Sequence, residues 1–204
     1  MFLAACGGGK PTPAPTPVTA PLPTAGIAGQ QVAVYPLTLL TADEALGWET
    51  TLLPRRVALD RADSLLGALL SERSPEVSWL KPDFLRRQAS KAPGLLTNPD
   101  QMATALLRSN LASVPDPLRS QMRNLSGVAG GRYALVPAAL FFVKPPAARG
   151  VGAPPPEGGQ AELILCLVDV RTGIIGWRTV ARGTGPDPWT ALRVAVKSLV
   201  PGMP

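Results

Sequence analysis

The chain has 204 residues, 46% of them hydrophobic and 17% charged, with a net charge of +6 and no histidine. That size suits one domain plus a tail, with enough apolar residues to fill a core of ordinary size. Lack of histidine excludes Ser-His-Asp and Cys-His catalysis, HExxH zinc sites and imidazole proton shuttles, and two cysteines, Cys6 and Cys166, give neither metal nor redox spacing.

The first segment cannot fold by itself. Cys6 follows Leu3, Ala4 and Ala5, and precedes three glycines and prolines at 11, 13, 15, 17, 21 and 23. Lys10 is its one charge before Asp43. Such a composition buries too little apolar surface to offset the entropy of ordering. Residues 1–27 are therefore expected to be a disordered, Pro-rich tether, and 28–204 a single folded domain. Polyproline II at 3.1 Å per residue would let twenty such residues reach roughly 60 Å.

The folded body opens with a β-rich run at 31–35, stopped by Pro36. Leu59, Ala62, Leu65, Leu66, Leu69 and Leu70 then recur at helical spacing, which predicts a helix with Asp60, Arg61 and Ser64 on its wet side. Ser74-Pro75 ends it, and 77–80 reads as a second strand. A shorter helix is expected over 82–89. Asn98-Pro99, Asp116-Pro117 and Asp187-Pro188 each pair a capping side chain with proline at the first helical position, so each predicts a helix start.

The last third is strand-rich. Tyr133–Val143 is apolar on both faces, as a buried strand would be, with Pro137 implying a bulge or an edge. Residues 161–170 and 174–182 flank Arg171-Thr172-Gly173 and predict a β-hairpin, with Ile175, Trp177, Thr179 and Ala181 on one face and Arg178 and Arg182 on the other. Residues 145–159, rich in Pro and Gly, are expected to be an exposed loop. Leu192, Ala195, Val196, Leu199 and Val200 form the stripe of a closing helix, stopped by Pro201. The order predicts an α/β (α+β) fold, a mixed β-sheet packed with helices. The longest apolar run, Tyr133–Val143, is too short for the ~20 residues of a membrane-spanning helix.

Motifs that invite chemistry have plainer readings. Asp169 to Gly173 ahead of Trp177 suggests a propeller blade, but a propeller repeats at a regular period and this chain has one copy. The glycines at 127–131 precede a strand, not the helix a phosphate cradle needs. Asp60 and Asp63 could form an acid/base pair, yet the helical stripe puts them on the solvated side, without the pocket that would perturb them. Cys166 lies in an apolar run and reads as a small buried hydrophobe. Trp48, Trp79, Trp177 and Trp189 are widely spread and read as packing groups. Twelve bases against seven acids in 55–132 make a basic surface that is expected to be solvated. No catalytic, metal or cofactor site is assigned, and no cofactor is expected.

Leu3-Ala4-Ala5-Cys6 resembles the lipobox of bacterial lipoproteins, with Cys6 as the lipid-attachment residue. Five residues before the cysteine are too few for a signal peptide, so translation is expected to begin upstream of Met1. In that family Gly7, where inner-membrane members carry aspartate, implies an outer-membrane destination. Together with the strand at 32–36, the helix over Leu65–Leu70, Leu167 to Gly173, the Trp177 strand and the closing helix, the chain resembles the curli-secretion and penicillin-binding-protein-activator lipoproteins. Their common domain is similar to the amino-terminal domain of TolB. The resemblance implies a non-enzymatic envelope lipoprotein held at the periplasmic face of the outer membrane, working by protein–protein contact or self-assembly in cell-envelope assembly or secretion. The alternative is a soluble enzyme of unknown reaction that uses carboxylates and arginines. A nucleic-acid-binding module rests on charge alone, and no nucleic acid is expected as partner.

Overall fold

The computed structural model describes residues 24–146 and 158–199. Cys6, the Pro-rich segment to position 23 and most of the 145–159 loop lie outside these residues. Strands are β1 (Gln31–Val34), β2 (Leu40–Ala42), β3 (Ser78–Leu80), β4 (Tyr133–Val143), β5 (Gly159–Asp169) and β6 (Ile174–Gly185). Helices are α1 (Arg55–Arg73), α2 (Pro82–Ser90), α3 (Leu118–Ala129) and α4 (Pro188–Lys197). They form one mixed six-stranded sheet with helices on both faces, as the α/β reading expects.

The sheet runs β3-β1-β4-β5-β6, with β2 continuing along β4 beyond β1. β1 is parallel to β3 and β4, β2 is parallel to β4, and β5 and β6 complete the sheet antiparallel. The chain leaves β1 for β3 on one side and returns from β3 to β4 on the other. Crossovers of constant hand then require α1 on one face and α2–α3 on the opposite one. Two separate cores follow. Val32, Val34, Leu135, Phe142 and Leu163 pack under α1 and α4, whereas Ala33, Tyr35, Val136, Cys166 and Val168 pack under α2 and α3.

Pro137 lies in a central strand, which its missing N–H would ordinarily forbid. Two irregularities accommodate it. The pairing with β5 shifts register between Pro137 and Ala139, and the neighbouring chain is interrupted between β1, paired as far as Leu135, and β2, paired from Leu140. The strand β2 carries no periodic signal of its own: three residues gain their partner only because β4 runs past them.

The expected hairpin forms, but a bulge alters its faces. Leu167 pairs with Trp177 and Val168 with Ile175, so Gly176 is extra. Trp177 therefore joins the α1–α4 core while Ile175 joins the α2–α3 core. A strict alternation puts both on one face; the inserted glycine breaks the period.

The closing helix lies against β6 and β5 as its stripe requires: Leu192, Val196 and Leu199 are buried, Arg193 and Lys197 exposed. Asp187 caps it, accepting from the Trp189 and Thr190 amides at 2.9 and 3.1 Å. The other two Pro-led starts differ. Asn98 caps only a single 3-10 turn, Pro99–Gln101, and Asp116 spends its carboxylate on the Ser120 hydroxyl at 2.9 Å, leaving α3 to begin at Leu118. The packed body also starts earlier than position 28. Thr24 and Ile27 are buried, with Ile27 ending a 3-10 helix (Ala25–Ile27) that seats it in the α1–α4 core.

Candidate functional site

The main polar cavity, about 480 Å³, lies just beyond the carboxyl ends of the parallel strands β1 and β3. This is where α/β sheets commonly place ligand sites. Its walls come from α1 (Arg56, Asp60, Asp63) and α2 (Asp83, Arg86), with Lys81 at the end of β3.

Arg86 organises the cavity. Its Nε donates to both oxygens of Asp100 at 3.1 and 3.0 Å, and Nη2 reaches Asp100 Oδ1 at 2.8 Å. Nη2 also donates to Asp63 Oδ2 at 2.8 Å, and Nη1 to Asp83 Oδ1 at 2.8 Å. Asp60 Oδ1 stands 3.4 Å from Nη2. Arg56 closes the ring, bridging Asp60 at 3.0 Å and Asp100 at 3.1 Å. The planar guanidinium fork makes this possible, since it presents five donors in fixed directions.

Asp63 is the group the helical pattern misplaces. Its side chain is 5% exposed, not solvated as expected from its apparent face on α1. Besides Arg86, it accepts the Leu37 backbone amide on Oδ1 at 2.8 Å, satisfying the chain where it leaves β1. Periodicity registers only apolar residues, so a buried carboxylate on a helix looks like a wet one.

Burial pushes the Asp63 carboxyl up to about 6, against the lowering effect of the Leu37 amide and Arg86. Burial also opposes the Arg86 charge, but hydrogen bonds to Asp100, Asp83 and Asp63 outweigh it and hold its pKa above the ordinary guanidinium value. At Asp100, burial raises the pKa, yet Arg86 and Arg56 win and hold it below the usual carboxylate range. Two cations together hold Asp100 ionised, whereas burial leaves Asp63 costly to ionise.

A pH dependence follows. A group with folded pKa of about 6 and ordinary value 3.8 binds more protons in the native state between those limits. Its effect on stability is therefore favourable at the acid end and lost as pH rises toward 6, by about 3 kcal/mol in all. Asp100 has the opposite sign and acts only below its ordinary value. Urea titrations between pH 4 and 7 should show native stability declining across this window, and Asp63→Asn should flatten the decline. Parallel curves for the two chains would contradict a raised Asp63.

The other sequence-marked residues fall elsewhere. Cys166 is buried, its Sγ 3.6 Å from the Leu107 carbonyl, and burial raises its thiol pKa. Trp48 and Trp189 are buried while Trp79 and Trp177 are half-buried; Trp48 meets Phe142 edge-on at 5.5 Å, and Arg61 stacks 4.6 Å over Trp189. Asp169 caps the hairpin turn, accepting from the Arg171 and Thr172 amides, while Gly173 takes φ of 78°. Among the described residues no group of acidic or cysteine side chains is arranged to hold a metal ion, and no helix is long and apolar enough to cross a membrane.

A scan of protein-family models and a search of the curated proteins found no match to this chain. Among solved structures it is similar to the LpoB C-terminal domain from Salmonella enterica, with 15% identity, 78% of this chain and 84% of that one covered, and a TM-score of 0.36. It is also similar to the lipoprotein GNA1162 from Neisseria meningitidis, with 14% identity, 76% and 81% covered, and a TM-score of 0.37.

Proposed function

We propose that this protein is a non-enzymatic envelope lipoprotein, anchored through Cys6 at the periplasmic face of the outer membrane and acting by protein–protein contact. The observation that carries this reading is the arrangement at the amino terminus: a small apolar triplet, Cys6 and a Pro-rich segment leading into a body that is packed from Thr24 onward. The principal polar cavity supports it. The carboxylates there are engaged by Arg86 and Arg56, which ties α1 to α2 and the β1 exit rather than leaving an acid/base couple facing a substrate. Acylation would supply the anchor, at about 0.8 kcal/mol per buried methylene, and two or more chains make it stable.

The enzyme alternative draws on one observation, the raised pKa of Asp63 inside a cavity. Against it, both Asp63 oxygens already accept, one from Leu37 and one from Arg86.

Expression of the full-length protein in a bacterial host with a radiolabelled fatty acid tests the anchor. The chain should take up label and sediment with membranes, and Cys6→Ser should lose both properties. Equal membrane partition of the substituted chain would overturn the reading.

A further inference from the structure

The cavity around Arg86 balances its charges internally; the opposite end of the sheet does not. Four arginines meet at the β5–β6 turn. Arg119 and Arg123 are one helical turn apart on α3, Arg132 leads into β4, and Arg171 belongs to the turn. Arg123 Nη2 donates to the Arg171 carbonyl at 2.9 Å, and the Arg119 side chain lies against Gly173, where an added Cβ would meet its Nε at 2.8 Å. Arg123, Arg132 and Arg171 line a cavity of about 370 Å³, floored by Ser126, Gly127 and Val170, and no carboxylate lines it.

The nearest acid is already engaged. Asp169 Oδ2 binds Arg132 at 2.6 Å, and Oδ1 accepts the Arg171 and Thr172 amides at 3.0 and 3.2 Å. Among the described residues, Arg119, Arg123 and Arg171 make no ion pair, and Arg119 Nε is buried without a hydrogen-bond partner. Two of the three guanidinium groups that line the groove, those of Arg123 and Arg171, are thus without a compensating charge among the described residues. Their forks fit phosphate oxygens in bidentate fashion.

Two features select the source of that phosphate. A large apolar side chain stands in the open beside the arginines: Ile174, in the adjoining cavity with Arg132, is 55% exposed. A mixed basic and apolar surface suits a membrane interface better than a small soluble anion. Thr24, where the described chain begins, lines that same adjoining cavity with Arg132 and Tyr133. The described chain therefore begins beside Arg132.

We infer that this arginine groove binds the phosphates of anionic lipid headgroups at a membrane surface. The inference rests on the lipoprotein reading only for proximity: a tether attached at Thr24 would keep the groove within reach of the membrane of its own anchor.

The full chain carrying Cys6→Ser, which has no acylation site, isolates the groove. It should sediment with vesicles of phosphatidylglycerol and phosphatidylcholine but not with phosphatidylcholine alone, and added salt should release it. Arg171→Gln, whose side chain has no partner to lose among the described residues, should weaken vesicle binding about five-fold, and Arg123→Gln with Arg171→Gln about twenty-five-fold. Arg171→Lys should retain most binding. Arg193→Gln with Lys197→Gln, on the exposed face of α4, should change it less than about two-fold. Equal weakening by the two pairs would reduce the effect to net charge and overturn the site, as would absence of binding to the anionic vesicles. Inorganic pyrophosphate that raises the melting temperature while the vesicles fail to bind would assign the groove to a soluble phosphate instead, and overturn the lipid. Because the chain tested is unacylated, none of these outcomes depends on whether Cys6 carries lipid.

Discussion

Arg86→Ala should cost about 3–5 kcal/mol at neutral pH, a large part of a typical domain's ~5–15 kcal/mol. The loss comes less from the contacts removed than from the charges left behind. Asp63, 5% exposed, would keep the Leu37 amide but lose the one cationic partner it has among the described residues, and Asp100 would retain Arg56. An uncompensated buried carboxylate is among the most destabilising changes a core can suffer. Arg86→Lys should recover only part, because a single ammonium cannot span Asp63, Asp83 and Asp100 as the fork does. The deficit should shrink as pH is lowered toward 5. Without Arg86 the Asp63 carboxyl rises further above its value of about 6, and protonation removes the buried charge. Urea unfolding at the two pH values measures this. A loss within about half a kcal/mol, or one unchanged by pH, would mean that the cluster behaves as a solvated surface network.

Gly183→Ala should be comparably severe for a purely steric reason. A Cβ at Gly183 would stand 2.1 Å from the Ala195 amide nitrogen and 2.6 Å from the Ala191 carbonyl oxygen. Both are backbone atoms of α4, so no rotamer change relieves the clash, and the helix must lift off β6. Lifting it uncovers Leu192, Ala195 and Val196, all in the α1–α4 core. Overpacking ordinarily costs about 1–3 kcal/mol, and a backbone contact places this change at or beyond the upper end. For a chain of this size that corresponds to a melting shift of roughly 10 °C. Gly176→Ala provides the control, since no atom lies within 4 Å of its added Cβ on the same strand. It should stay within about half a kcal/mol of the parent. Similar melting of the two variants would show that α4 does not depend on this close approach.

Elements with a strong local signal are where the sequence places them. The apolar period over 59–70, the two-faced apolar strands Tyr133–Val143 and 161–170, and the closing helix with its Asp187 cap all coincide with observed elements. Each depends on near neighbours in the chain: the spacing of apolar side chains, a cap two residues away, a glycine in a turn. The absence of histidine and the Cys6 segment are likewise properties of composition and order, and no fold is needed to see them.

Elements that depend on distant partners are not legible in this way. β2 exists because Leu40–Ala42 meets Leu140–Phe142, a hundred residues away. Gly176 shifts the β6 faces only in relation to β5, and Gly183 matters only because α4 rests on it. Asp63 reads as a wet helical residue until Arg86, Leu37 and Asp100 surround it. The arginines are interspersed with acids along the chain, yet α3, the β4 entry and the hairpin turn bring three of them around one groove. Sequence alone determined the periodic elements, their approximate order and the chemistries that were ruled out, because hydrophobic spacing and residue inventory are local quantities. Only the tertiary structure decided which charges are buried, which are paired and which are left facing outward, because a charge's energy is set by its neighbours in space and by its distance from water.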